Sequence, residues 1–141
     1  MGNSSPQVGY LLKHAQSLLH LRMEEALRPL QLTVSQYSCL FHLRRDPGIS
    51  AAELARRTFV TRQSMNVMLQ QLIDRELVAR PAQAESGRAL PTLLTASGSR
   101  ALDSAQDLVD GVERRMLSGL TPADTAALAR GLEGSIGALA D

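Results

Sequence analysis

The feature that most constrains this chain is a closely spaced pair of helix start signals in its middle third. Ser50 is followed three residues later by Glu53, which is the pattern of a capping box. Thr61, another good N-cap residue, follows after a short link. Apolar residues at helical spacing follow each signal, so the sequence predicts one helix through Arg57 and a second ending near Arg75. Two short helices joined by a tight turn form a helix-turn-helix motif.

Longer helices are predicted on the N-terminal side of this motif. Apolar residues recur at helical spacing from Val8 to Leu30, with Pro29 in the last turn. Thr33 can cap a second helix, which the turn at 46–48 closes.

A hairpin and two more helices are predicted after the motif. Residues 77–80 and 89–94 have the character of short strands, and Pro91, which lacks an N–H, must lie off the paired ladder or at an edge. Thr95 caps a fifth helix that Gly119 stops, and Thr121 begins a sixth. The expected fold class is therefore mainly α, with one small hairpin.

The distribution of charge is more informative than its sum. The chain has 141 residues, is 44% hydrophobic and carries a net charge of only +1. That length and composition fit one folded domain and exclude intrinsic disorder. Residues 42–100 hold nine basic and five acidic side chains, whereas 101–141 hold three and seven. The positive excess thus falls on the helix-turn-helix and hairpin, where a phosphate backbone would be met.

The strongest candidate site is the polar face at the start of the second helix of the motif. With Met65, Leu69 and Leu72 facing the core, the polar residues are left outside. Arginine matches the O6 and N7 atoms of guanine, and asparagine and glutamine match N6 and N7 of adenine. DNA base contacts are therefore predicted for Arg62, Gln63, Ser64 and Asn66. A solvated polar face with an N-cap is the alternative.

Other residues are predicted to contact the DNA backbone or the minor groove. Arg88, beside Gly87 at the hairpin tip, is placed to enter a narrow minor groove, and a merely exposed arginine is the alternative. Thr61, Arg56 and Arg80 are candidates for phosphate contacts, or else a structural cap and rim charges.

Catalytic, metal and membrane functions find little support in the sequence. Recognisable catalytic motifs are missing, His14, His20 and His42 are too far apart for a local ligand pair, and no cofactor or metal is expected. The single cysteine, Cys39, is predicted to be a small buried hydrophobe, with redox sensing as the alternative. It cannot form an intramolecular disulfide, and no apolar run could span a bilayer, so we expect a soluble, cytoplasmic protein without a membrane partner.

Several stretches taken together resemble the multiple-antibiotic-resistance regulator (MarR) family of bacterial winged-helix transcription factors. The resemblance covers about residues 8–100, and the stretches that carry it are LRPLQLTVSQYSCLFHL, PGISAAELARRTFVTRQSMNVMLQQL, LVAR and GRALPTLLTASG. The resemblance implies a single domain over 1–141, with dimerisation helices at 8–30 and 95–141 and a winged helix-turn-helix part at 33–94. It implies a homodimer that binds pseudo-palindromic double-stranded DNA, is not an enzyme, and is a repressor rather than an activator.

The resemblance also implies control by a small anionic or aromatic effector, bound between the dimerisation helices and the winged part. The residues of this chain that could line such a pocket are Tyr10, His14, Tyr37 and His42. The rival hypothesis is a winged-helix module that docks a protein partner and does not bind specific DNA. An enzyme with its site in the helical bundle ranks last.

Three positions depart from the family pattern. Gln31 and Glu76 stand where the family commonly has glycine in a left-handed turn, which implies strain or a different local turn. Ser86 stands where the wing often has an acidic residue, which leaves open how the wing is steadied.

Overall fold

The elements observed in the structure follow the predicted order. The structure, a computed structural model, describes residues 7–80 and 91–140. No helix in these two ranges has an apolar stretch that could cross a membrane. The helices are α1 Val8–Leu27, α2 Val34–Arg45, α3 Ala51–Thr58, α4 Arg62–Asp74, α5 Ala96–Leu117 and α6 Pro122–Leu139, and the strands are β1 Val78–Ala79 and β2 Leu93–Leu94. The prediction of a mainly helical chain with one hairpin is confirmed.

Hydroxyl side chains begin every helix from α2 to α6. Each accepts a hydrogen bond of 2.9–3.1 Å from the backbone N–H three residues on, which satisfies a donor that the helix cannot; the caps are Thr33, Ser50, Thr61, Thr95 and Thr121. The capping box predicted at Ser50 is only half formed. The Glu53 carboxylate pairs with Arg56 and Arg57 on its own helix instead of returning to the cap.

The end of α1 is shaped by Pro29. The α-helix stops before this residue, and the chain continues as one 3₁₀ turn, Arg28–Leu30. Gln31 then adopts the left-handed conformation, with φ at 56°, in which glycine is the usual residue. Arg75 holds this turn from the far end of α4, because its guanidinium donates to the carbonyl oxygens of Gln31 at 2.6 Å and Leu30 at 3.2 Å.

The turn after α4 repeats this arrangement. Glu76 has φ at 60°, and its carbonyl oxygen accepts a 2.7 Å hydrogen bond from the hydroxyl of Thr95. Both left-handed turns therefore form without glycine. The sequence left two outcomes open at these positions, strain or a different local turn. The structure has the left-handed turn with its backbone strain.

The hairpin is shorter than predicted. Val78 pairs with Leu94 and Ala79 with Leu93 in an antiparallel ladder. Pro91 precedes the second strand and stays off the ladder, as its missing N–H requires. The other residues of the predicted hairpin, including Arg88, lie outside the described residues.

The core lies under the helix-turn-helix motif. It gathers one face each of α2, α3, α4 and the first half of α5 around the end of α1. Its fully buried large side chains are Leu27, Leu40, Leu43, Leu54, Met65, Leu69, Leu72, Leu102 and Val78. The inward residues Met65, Leu69 and Leu72 predicted for α4 are thus confirmed, and Phe41 on α2 is only partly buried.

The two terminal helices behave differently from the core helices. In the single chain α1 buries only Leu27, and α6 buries none of its residues. The apolar stripe predicted for α1 and the apolar residues of α6 are therefore mostly exposed in the single chain.

We predict that Gly98→Ala destabilises the fold. Gly98 is buried in the first turn of α5, and a Cβ there would overlap the carbonyl oxygen of Leu77 and lie 2.9 Å from Leu94 Cδ1. The free energy of unfolding in urea, at fixed protein concentration, should fall by about 1–3 kcal/mol. The matched control is Gly111→Ala on the same helix, where a Cβ would meet only the Arg114 guanidinium at 3.6 Å. The control should be neutral or stabilising, and equal stability of Gly98→Ala and wild type would contradict the packing described.

Candidate nucleic-acid interface

The start of α4 presents the polar face that the sequence predicted. Met65, Leu69 and Leu72 are fully buried, and this fixes which side of the helix faces water. The predicted base-contact residues are all exposed on that side: Arg62, Gln63, Ser64 and Asn66. Val67 is also exposed, at 55%, and it was missed as a contact residue because only polar residues were considered. Its spacing of four residues from Gln63 places it on the same face of α4.

The cap at the start of α4 restricts one of these residues. The Thr61 hydroxyl accepts a hydrogen bond from the Ser64 N–H at 3.0 Å and donates to Ser64 Oγ at 2.9 Å. The Ser64 hydroxyl is therefore turned back towards the cap, whereas Arg62, Gln63 and Asn66 make no side-chain hydrogen bond among the described residues. Three of the four candidates are thus free to meet a ligand.

The arginines predicted to meet phosphate lie in different settings. The Arg56 side chain is 74% exposed and pairs with Glu53. Such an exposed pair contributes little and can be exchanged for another anion at low cost. Arg80 is half-buried, and its Nε donates to the buried Thr92 hydroxyl at 3.2 Å. That contact steadies the base of the hairpin, and it is the one side-chain hydrogen bond of Arg80 among the described residues.

Two central arginines have structural contacts that the charge count did not reveal. Arg44 donates to the Ser99 carbonyl at 2.7 Å and forms an ion pair with Asp103 at 2.8 Å, joining α2 to α5. Arg75 holds the turn after α1 in the same way. The net charge of +4 on residues 42–100 therefore overstates the positive charge that is available to bind a polyanion.

The four effector-pocket candidates lie on two helices, α1 and α2, in different surroundings. Tyr10 and His14 lie together on the first turns of α1, with ring centroids 6.1 Å apart, and both are exposed. Tyr37 is buried on α2 and donates from its hydroxyl to Gln106 of α5 at 2.8 Å. His42 packs edge-on against Phe41 at 5.5 Å.

The local environment shifts the pKa of two groups on α2. Burial lowers the pKa of His42 from its usual 6.5, and the nearby charges of Arg57 and Arg45 act in the same direction. Burial raises the pKa of the Cys39 thiol to about 12. Cys39 is fully buried, so the prediction of a small buried hydrophobe is confirmed, and its surroundings oppose the reactive thiolate that redox sensing needs. Among the described residues, no group of three His, Cys, Asp or Glu side chains could hold a metal ion.

Comparison with known proteins gives a consistent result. A family model described as MarR family matches residues 30–89. The HTH-type transcriptional repressors Rv2887 of Mycobacterium tuberculosis and Mb2911 of Mycobacterium bovis are each 42% identical to this chain over 126 residues, which cover 89% of it and 91% of the relative. The chain belongs to the MarR family. The resemblance stated from the sequence is confirmed.

Solved structures of the MarR family agree with this fold. A structure of Rv2887 from Mycobacterium tuberculosis in complex with DNA is 38% identical, with a TM-score of 0.80, and the match covers 93% of this chain and 98% of that one. Another, in complex with salicylic acid, is 40% identical, with a TM-score of 0.76 and coverage of 95% and 98%. Apo MarR from E. coli, at 22% identity, has a TM-score of 0.81 over 94% of this chain and 99% of that one, and it supports the fold alone. The predicted fold, a winged helix-turn-helix within a mainly α chain, is confirmed for this MarR-family protein.

We predict that His42 makes the stability of this MarR-family protein depend on pH. Since folding lowers the pKa of His42, the unfolded chain binds more protons as the pH falls below about 7. The contribution of His42 to the free energy of unfolding is therefore present above its unfolded pKa of 6.5. It is lost as the pH falls through the lower pKa of the folded state. Urea unfolding at pH 7.5 and pH 5.5 should show a smaller difference for His42→Gln than for wild type. His14→Gln, at an exposed position on α1, is the matched control, and an unchanged difference in His42→Gln would contradict the assignment.

Proposed function

We propose that this chain is a dimeric, sequence-specific DNA-binding transcription regulator that acts as a repressor and is released by a small-molecule effector. The observation that carries the proposal is the exposed polar start of α4, in a MarR-family chain whose relative Rv2887 has been solved in complex with DNA. Its place of action is proposed to be the cytoplasm, and no catalytic step is assigned to it.

The proposed DNA contacts divide into two kinds. Arg62, Gln63 and Asn66 meet base edges in the major groove, because their donors and acceptors match purine edges and are exposed. Ser64 is the fourth proposed base contact, and its hydroxyl must then hydrogen-bond both to the Thr61 cap and to the DNA. Phosphate contacts fall to Thr61, Arg56 and Arg80, and the minor-groove contact to Arg88, which lies outside the described residues.

Dimerisation is supported by the apolar surface of the long helices. A helix without a buried face is marginal in water, yet α6 exposes Leu128, Leu132, Ile136 and Leu139. A groove of about 320 Å³ between α1 and α5 presents further apolar side chains, and it is lined by Leu18, Leu19, Ala15, Arg22, Val112, Arg115 and Met116. Large exposed apolar surfaces mark interaction sites. We therefore assign 8–30 and 95–141 to the dimerisation region and 33–94 to the DNA-binding part of one domain.

The proposed effector is an aromatic carboxylate. Rv2887 has been solved in complex with salicylic acid and with p-aminosalicylic acid. Such a ligand releases DNA only if it binds more tightly to a dimer whose two α4 helices are wrongly spaced. The proposed pocket residues are Tyr10 and His14 on α1 and Tyr37 and His42 on α2.

We predict different effects for the arginines at the two kinds of contact. On a duplex carrying the site that the protein selects from random-sequence DNA, Arg62→Ala should lose about 1–3 kcal/mol of binding free energy and relax discrimination at one base position. Arg56→Ala should weaken binding to selected and random DNA alike and reduce the salt slope by about one. Fluorescence anisotropy across a salt series measures both. Equal losses by both variants on both kinds of DNA would contradict the assigned roles.

We predict that salicylate stabilises the protein and weakens its DNA binding. At about 100 times its Kd, a ligand that binds only the folded state adds about 2.7 kcal/mol to the free energy of unfolding. Melting temperature and operator affinity are measured with salicylate and with uncharged salicylamide as the matched control. If salicylate shifts neither quantity, the effector part of the proposal fails and the DNA-binding part stands.

A further inference from the structure

Phe59, in the turn between α3 and α4, is the most exposed large apolar side chain that the structure describes. Its side chain is 94% exposed, and its backbone is left-handed, with φ at 59°. Its N–H caps α3 by donating to the carbonyl oxygens of Ala55 and Arg56. The backbone therefore has a structural role, whereas the aromatic ring has none among the residues that the structure describes.

A phenylalanine is costly at this position. A bulky residue with positive φ is a genuine outlier, and glycine adopts the same conformation without a steric penalty. Gln31 and Glu76 share this conformation, but both are polar, and their carbonyl oxygens accept hydrogen bonds from Arg75 and Thr95. An exposed ring gains no burial energy to offset its cost, and strained residues of this kind concentrate at functional sites.

The neighbours of Phe59 indicate what the ring meets. Arg56 comes three residues earlier, and the Phe59 backbone N–H donates to the Arg56 carbonyl oxygen, with an N···O distance of 3.3 Å. Thr61, the cap of α4, follows two residues later. Both are proposed phosphate contacts, so the exposed Phe59 ring belongs to a turn flanked on both sides by residues that the proposed duplex reaches.

We propose that the Phe59 ring packs against apolar carbons of the bound duplex, either the C5 methyl group of a thymine or the deoxyribose of the backbone. Apolar side chains recognise thymine methyl groups in the major groove, and the ring loses its exposure to water on contact. This inference rests on the proposed function, because it requires the duplex to lie on α3 and α4.

The test separates the ring from the turn. Phe59→Gly removes the ring and relieves the left-handed strain, so its melting temperature should equal or exceed that of wild type while its affinity for the selected operator falls about tenfold. Phe59→Leu keeps an apolar side chain and should retain most of the affinity. Gln31→Gly relieves the same strain at a remote turn, and it should leave affinity unchanged. Anisotropy and thermal unfolding are measured on the same preparations.

Uracil substitution distinguishes the two carbon sources. If wild type loses affinity when one thymine of a half-site is replaced by uracil and Phe59→Gly does not, the partner is the thymine methyl group. If neither protein responds and Phe59→Gly still binds more weakly, the partner is the deoxyribose.

Several results would overturn the inference. One is operator binding by Phe59→Gly that is as tight as that of wild type. Another is an equal loss of operator affinity in Phe59→Gly and Phe59→Leu, which would indicate that the affinity depends on the geometry of the turn and not on the ring. If wild type and Phe59→Gly bind the operator equally well, this inference alone is refuted, and the alternative partner for the ring is a protein. A wild-type protein that selects no DNA refutes the proposed function as well.

Discussion

The burial of one face of α4 is the constraint on which the rest of the structure depends. Met65, Leu69 and Leu72 are fully buried, and truncating side chains of this size in a core costs about 2–5 kcal/mol each. Since a helix can turn only one face inwards, this burial decides that Arg62, Gln63 and Asn66 face water. The proposed DNA contacts and the stability of the fold thus depend on opposite faces of the same thirteen-residue helix.

Polar contacts tie α4 and α2 to the long helices. Arg75 joins the end of α4 to the turn after α1. Arg44 links α2 to Ser99 and Asp103, and Tyr37 reaches Gln106 of the same helix α5. In a dimer built through α1, α5 and α6, these contacts would carry a change of helix packing to the spacing of the two α4 helices. An effector that acts on that spacing needs no direct contact with DNA.

Much of this organisation could be predicted because its signals are local. Thr33, Thr61 and Thr95 cap their helices through the backbone a few residues away, so helix starts follow from short patterns. The outward face of α4 follows from the period of Met65, Leu69 and Leu72.

The tertiary roles of Arg44 and Arg75 have no local signal, because their partners lie far along the chain. The exposed stripes of α1 and α6 look like core-facing stripes in sequence, since periodicity does not tell an internal partner from a second chain. The exposure of Phe59 depends on its left-handed turn, in a position that sequence reasoning treated only as a link.

The central claim is that two copies of this chain bind specific DNA through their α4 helices. The most direct measurement is selection from a random-sequence duplex pool by the purified protein, followed by the affinity of the selected site across a salt series. We expect a pseudo-palindrome with half-sites about one helical turn, roughly 10 base pairs, apart. Its affinity should exceed that for random DNA by at least about 10³ and fall steeply with salt. An unenriched pool, or equal affinity for selected and random duplexes, would contradict the claim.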